Sequence, residues 1–335
     1  MKYRKFGKTD WSVSEIGFGS MMLRTNTVEE RRESVNTLLA AFESGINFVD
    51  TASVYASGRS EETVGAALKQ WRGEPVYVAT KVAPKEWPHP GEDDPDFKGR
   101  YAASYIREQC ESSLRRLRIP CIDLYQLHGW FPSGLKEEEW FETLTDLQRE
   151  GKIREFGVSL RDYRPDDGIA LVRSGRTASV QVVYNLFEQR PAERLFPACA
   201  ESDTGILSRV PFDEGALTGT WTQETYEQFP ADDFRRHYFK GNRFAATLKR
   251  VEDIRSIVRE VTGEEHLNVA ETALRFCLSD PHVASVLVGM DREEHVKANV
   301  ESVNLGKLDA ELLARLQAVN WPRNYFNPDL EVDPT

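Results

Sequence analysis

Apolar residues recur along the chain in short runs, with amphipathic stretches between them. Eight runs read as strands: residues 15–22, 47–52, 76–82, 122–128, 155–160, 179–185, 205–210 and 284–290. Several are apolar almost without interruption, such as Val76-Tyr77-Val78-Ala79 and Val283-Ala284-Ser285-Val286-Leu287-Val288. Buried parallel strands read this way because helices cover both faces of the sheet. The intervening segments 29–44, 60–71, 105–117, 137–150, 269–279 and 293–300 repeat their apolar positions at the helical period. Gly45 follows the first and suits a helix C-terminus. Ser60 is expected to cap the second, with Glu61 and Glu62 in its first turn. Strand–helix alternation over the whole length predicts a parallel sheet with right-handed crossovers. Eight strands favour an α/β fold closed as a single (β/α)8 TIM barrel over an open sheet.

Two segments break the rhythm. Residues 84–99 are rich in Pro, Gly and acids and follow the third strand; residues 218–243 are polar and aromatic and follow the seventh. Both are expected as long active-site loops that order over a bound ligand. Residues 322–335 contain three prolines and few apolar side chains, so they read as a C-terminal strap or disordered tail of one domain spanning 1–335.

Composition narrows the function classes. The 335 residues suit one barrel, and the net charge of -11 argues against nucleic acid and anionic membranes as partners. No apolar run approaches the roughly 18 residues of a membrane span. The basic start Met1-Lys2-Tyr3-Arg4-Lys5 is not followed by the apolar stretch of a signal peptide. Cys110, Cys121, Cys199 and Cys277 show no CxxC spacing, so a reducing cytoplasm is expected and a disulfide framework or zinc site is not. The pattern leaves the oligomeric state open.

In such a barrel the chemistry sits at the C-terminal strand ends. The second strand ends in Asp50-Thr51-Ala52 with Tyr55 beyond it, the third in Ala79-Thr80-Lys81, and the fourth in Gln126-Leu127-His128. An acid, a phenol, an amine and an imidazole thus share one rim. Carbonyl reduction needs a hydride on one face and a proton for the developing alkoxide. A phenol at its ordinary pKa of about 10 is a poor acid, and a neighbouring ammonium favours its ionisation. Lys81 is placed to do this, with Asp50 to hold it and His128 to orient the carbonyl oxygen or share the proton. Each residue alone has an ordinary structural explanation; four at successive strand ends do not.

These segments resemble the aldo-keto reductase family. Asp50-Thr51-Ala52-Ser53-Val54-Tyr55 with Gly58-Arg59-Ser60-Glu61 looks like its tyrosine signature, and Ala79-Thr80-Lys81 like its lysine strand. Ile122 through His128 is similar to its histidine strand, and Gly151 through Ser159 to the approach to its fifth strand. The resemblance covers the chain from Tyr3 to about Val303. It implies Tyr55 as proton donor, with Asp50, Lys81 and His128 completing a tetrad, no metal, and a hairpin over 3–14 closing the barrel bottom.

The resemblance also implies a nicotinamide cofactor lying across the barrel mouth. The chain has no G-x-G-x-x-G after a strand, which argues against a Rossmann site. Gly19, Ser20 and Met21 would border the cofactor, Ser159 and Gln181 would bond its carboxamide, and Asp50 would lie near its ribose. Leu160 stands where relatives have Asn. The segment Ser208 to Gly219 resembles the loop over the pyrophosphate, through Pro211, Phe212, Gly215 and Leu217. Arg209 takes the place of a stacking aromatic, which a guanidinium plane can replace. Gly289, Met290, Arg292, His295 and Asn299 would serve the adenosine end. Asp291 would repel a 2′-phosphate while Arg292 or Lys297 would attract it, and NADP is favoured over NAD. Met22, Trp87, Trp130, Phe131 and Tyr238 are the expected pocket wall, suited to an apolar or planar carbonyl compound. A sugar or nucleotide-linked keto-sugar reductase, and a cofactor-binding regulatory subunit like the potassium-channel beta subunits, remain as alternatives.

Overall fold

The computed structural model describes residues 1–89, 92–263 and 268–326. Ten strands run in chain order: β1 (Tyr3–Lys5), β2 (Ser12–Ser14), β3 (Ile16–Gly19), β4 (Phe48–Asp50), β5 (Tyr77–Val82), β6 (Ile122–Trp130), β7 (Ile153–Leu160), β8 (Ser179–Val183), β9 (Gly205–Arg209) and β10 (Val283–Gly289). The last eight are the eight predicted runs. They pair in parallel and close as β10-β3-β4-β5-β6-β7-β8-β9. β1 and β2 pair antiparallel, and Phe6, Trp11 and Val13 of this hairpin pack on Phe48, Leu124 and Leu207 inside the barrel. The floor is therefore closed by apolar side chains, as the resemblance implies.

The helices in order are α1 (Val28–Glu43), α2 (Arg59–Gln70), α3 (Ala103–Leu117), α4 (Glu139–Arg149), α5 (Ile169–Arg173), α6 (Pro191–Glu201), α7 (Thr225–Gln228), α8 (Phe234–Tyr238), α9 (Arg243–Thr262), α10 (Val269–Ser279), α11 (Glu293–Asn304) and α12 (Ala310–Leu316). The main core lies between the ring of helices and the barrel wall, for example Leu38, Val64, Ile106 and Leu144 against Val49, Val78, Leu127 and Val158. The apolar pattern does not mark α5, α6, α9 or α12. In α6 the reason is visible: Pro191 opens the helix and Pro197 lies inside it, so a breaker residue masks a real helix.

The start of α2 differs from expectation. Its cap is Gly58, at φ +89, and not Ser60. Ser60 instead brings its Oγ within hydrogen-bond distance of Ser20 O (3.1 Å), Ser20 Oγ (2.8 Å) and Thr51 Oγ1 (3.0 Å), fastening the ends of β3 and β4 together.

The two long segments differ from each other. Of residues 84–99, 90 and 91 lie outside the described residues; the described ones form no helix or strand and are held by side-chain bonds. Arg161 donates to Glu92 O and Asp93 O, each at 2.6 Å, while pairing with Asp167, and Arg164 pairs with Asp93 at 2.8 Å. Residues 218–243, expected as loop, contain α7 and α8. Asp233 caps α8 by accepting from the Arg235 N–H, and Phe229, Tyr238, Phe239, Phe244 and Tyr325 form a separate aromatic cluster beneath. Tyr325 belongs to the C-terminal segment, so residues 322–326 are a docked strap; 327–335 of the expected tail lie outside the described residues. Among the described residues no helix is long and apolar enough to cross a membrane.

Candidate active site

Barrel register brings the chemistry together. Asp50 closes β4, Lys81 is the penultimate residue of β5 and His128 lies near the end of β6. His128 is level with Ser159 on β7, and Ser159 with Gln181 on β8. Tyr55 sits in the turn after β4, where Ala56 and Ser57 adopt left-handed φ of +48° and +56°. Non-glycine residues are costly there, and such strain persists where surrounding contacts over-determine it.

Lys81 is fully buried. Its Nζ lies 2.5 Å from Asp50 Oδ2, 2.8 Å from Thr51 O and 3.4 Å from the Tyr55 hydroxyl. Burial opposes its charge, but Asp50 and Tyr55 outweigh burial, so its pKa rises and it stays an ammonium. Burial is also the largest influence on Tyr55 and pushes the phenol up; Lys81 pulls it down without reversing the net direction. The expected stabilisation of the phenolate by Lys81 is thus present and outweighed. Burial first, then the charges of Lys81 and Arg209, hold His128 well below the usual imidazole range. The imidazole is neutral, and its Nδ1 is buried with no hydrogen-bond partner among the described residues. Its ring meets those of Tyr55 and Trp87 edge-on, at 5.9 and 5.3 Å between centroids.

Sequence reasoning missed Gln126. It precedes His128 by two positions, so the strand period points it to the same side. It donates to Asp50 Oδ1 at 3.4 Å, and Gln181 donates to the same oxygen at 2.8 Å. Gln181, expected at the cofactor carboxamide, thereby has its amide N–H engaged with Asp50; Ser159 lies beside it, buried. Arg209 is not a free surface side chain: its Nη2 donates to Leu160 O at 3.0 Å and pairs with Asp162 at 2.5 Å.

The other expected residues divide. Met21 and Met22 are exposed at the rim with Trp87 and Val54. Trp130 and Phe131, expected as pocket wall, are instead fully buried against Phe97, Trp140 and Tyr101, so they belong to the core. Tyr238 is likewise buried, its hydroxyl 2.6 Å from that of Tyr163. Trp130 and Phe131, close in sequence to His128, turn inward because apolar partners there exclude water, while Tyr238 turns into the aromatic cluster of Phe239 and Tyr325. In the loop after β9, Pro211 and Leu217 are buried and Phe212 half-buried, and the Gly215 and Leu217 N–H groups both donate to Phe212 O. The side chain of Met290 lies in the main core, so only its backbone reaches the mouth, and Asn299 is buried. Arg292 and His295, at the start of α11, both pair with Asp291, at 3.2 and 2.8 Å. Burial works to raise the Asp291 carboxyl, but Arg292 and His295 outweigh it and keep it below its ordinary value. Among the described residues no cluster of three or more His, Cys, Asp or Glu is placed to hold a metal.

A model of the aldo/keto reductase family matches residues 15–320. The chain belongs to the aldo/keto reductase family. Relatives of this aldo-keto reductase include an uncharacterised oxidoreductase of Bacillus subtilis (strain 168), 32% identical over 95% of this chain and 96% of that protein. An NADH-specific methylglyoxal reductase of Escherichia coli is 30% identical, over 93% of this chain and 96% of its own. Among solved structures, the holo form of an aldo-keto reductase from Bacillus halodurans is 30% identical, with a TM-score of 0.73 and 96% of each chain covered. The aldo-keto reductase is therefore an oxidoreductase of a family that acts on small carbonyl compounds.

Proposed function

We propose that the protein reduces an uncharged aldehyde or ketone to the alcohol, with hydride from NADPH and with Tyr55 as proton donor. The observation that carries this reading is the buried group Asp50–Lys81–Tyr55 with His128 against it. The cofactor supplies the hydride when bound.

The mouth fits such a group. Gly19 and Gly289 are paired partners at the adjoining ends of β3 and β10. A Cβ on Gly289 would lie 3.6 Å from Met22 Cγ and narrow the cradle between them. Beyond it, Arg292 immediately precedes α11 and is largely exposed, and a helix N-terminus with a nearby guanidinium suits a phosphate. Arg292 shares its charge with Asp291, so the preference for the 2′-phosphate over a plain ribose is modest. Gly19, Ser20, Met21, Ser159, Gln181 and Arg209 would hold the nicotinamide end; Pro211, Phe212, Gly215 and Leu217 would cover the phosphates; Gly289, Met290, Arg292, His295 and Asn299 would take the adenosine.

Asp50 anchors Lys81, and Lys81 holds its ammonium toward the Tyr55 oxygen. Tyr55 keeps its proton until the developing alkoxide accepts it, because burial disfavours phenolate in the resting site. His128, neutral, donates a hydrogen bond to the carbonyl oxygen and shares its orientation with Trp87. The charged groups at the mouth are paired internally, Lys81 with Asp50 and Arg209 with Asp162, while Met21, Met22, Val54 and Trp87 form an exposed apolar collar. An uncharged carbonyl compound with an apolar or planar face suits that surface. The test is titration with NADPH and NADH by protein fluorescence, followed by reduced-nicotinamide absorbance with a panel of aldehydes and ketones. Binding with turnover of apolar carbonyls is expected; binding of neither cofactor would refute the reading.

A further inference from the structure

We propose that Arg323, on the C-terminal strap, is a positioning residue that holds the loop after β9 in the shape that receives the cofactor. The inference rests on the cofactor reading above. Arg323 Nη2 donates to Asp213 Oδ2 at 2.5 Å, across 110 positions of sequence. The two side chains are 3% and 0% exposed. The guanidinium stands over Trp321 at 4.3 Å and over Phe187 and Tyr325 at 4.9 Å each. The strap is fastened in turn by Arg243, whose Nη1 donates to Tyr325 O at 2.8 Å.

The other end of the pair is a strained loop. Val210, Asp213 and Glu214 all adopt left-handed backbone, at φ +58°, +48° and +58°. Three non-glycine residues in that region within five positions need an outside constraint to stay there. Arg323 is such a constraint at the middle position, because a carboxylate removed from water must find a counter-charge. The pair is also under-bonded. Asp213 Oδ1 and Arg323 Nε and Nη1 are buried without hydrogen-bond partners among the described residues. A pair serving packing alone is replaceable by apolar side chains. One that is charged, incompletely bonded and set at the base of a strained loop is suited to being broken and remade as the loop moves. Opening residues 210–219 to admit or release a cofactor pulls Asp213 against Arg323, so the pair sets the cost of opening.

The experiment uses the full chain and follows NADPH binding by fluorescence titration and NADPH release by stopped flow, with melting temperature alongside. Arg323→Met is expected to weaken NADPH binding about tenfold or more, mainly through faster release, and to raise KM for NADPH more than it lowers kcat. Arg323→Lys should recover part of the affinity. Arg323→Met leaves Asp213 unpaired and lowers the melting temperature, so the double variant Arg323→Met/Asp213→Asn, with neither charge buried, is the decisive one. It should melt near the wild type and still release NADPH fast. A double variant that both melts and binds NADPH as the wild type does would overturn the proposal, as would an Arg323→Met protein with wild-type release. Failure of the wild-type chain to bind NADPH would overturn the proposal together with the cofactor reading; normal wild-type binding with unaltered variants would overturn the tether alone.

Discussion

Removing the ammonium beside Tyr55 separates stability from chemistry in this site. Lys81 is fully buried and its partner Asp50 is 4% exposed, so Lys81→Met leaves a carboxylate with only the Gln126 and Gln181 amides for company. Breaking a buried ion pair by deleting one partner costs about 3–5 kcal/mol. Unfolding entropy near the melting point is about 2.1 cal/mol/K per residue, or about 0.7 kcal/mol/K over 335 residues, so the melting temperature should fall by about 4–7 °C. Asp50→Asn should act in the same direction by stranding the ammonium. The double variant Asp50→Asn/Lys81→Met buries no net charge and should recover most of the loss. Turnover should not recover, because Tyr55, the proposed proton donor, has lost the cation held 3.4 Å from its oxygen. Thermal melts and NADPH oxidation at saturating carbonyl measure the two quantities. A double variant as unstable as the worse single, or full turnover in Lys81→Met, would refute the reasoning.

Further expectations follow from the same geometry. Tyr55→Phe should cut turnover by about 10²-fold or more while cofactor affinity changes little, measured by steady-state kinetics beside titration. Trp130→Ala should cost about 3–5 kcal/mol of stability in denaturant melts because it empties core space. Trp87→Ala should leave stability nearly unchanged and raise KM for apolar carbonyls, since Trp87 is 53% exposed against His128. Glu214 is pushed up to about 8, by burial first and then by Asp162 and Asp213, against the opposing pull of Arg209 and Arg235. Its carboxyl is therefore neutral at pH 7 and becomes an anion as pH rises through about 8. Affinity for the cofactor's phosphates should drop above that pH, and Glu214→Gln should flatten the profile; an unchanged drop in the variant would exclude Glu214 as its origin.

Much of the candidate site's geometry was legible because a closed barrel converts strand order into spatial order. Asp50, Lys81 and His128 each lie at or near the C-terminal end of a run that reads as a buried strand, and eight such runs leave one rim for their side chains to meet. Gln126 followed the same strand period and went unread because a buried amide two positions from a histidine carries no motif of its own. Trp130 and Phe131 were misplaced for a different reason. Proximity to His128 in sequence says where the backbone is, while the direction of an aromatic ring depends on whether Phe97, Tyr101 and Trp140 are there to receive it.

By itself the sequence determined the alternation of strand and helix, the parallel barrel that alternation requires, and the four chemical groups on its rim. These depend on local periodicity and on covalent order, which the chain carries from end to end. Only the tertiary structure decided the balance of charge: that burial outweighs Lys81 at Tyr55, that Asp50 gathers Lys81, Gln126 and Gln181, that Arg209 answers Asp162, and that Arg323 reaches across 110 residues to Asp213. Electrostatic energies depend on distance and on the exclusion of water, and both come into being only when distant segments pack.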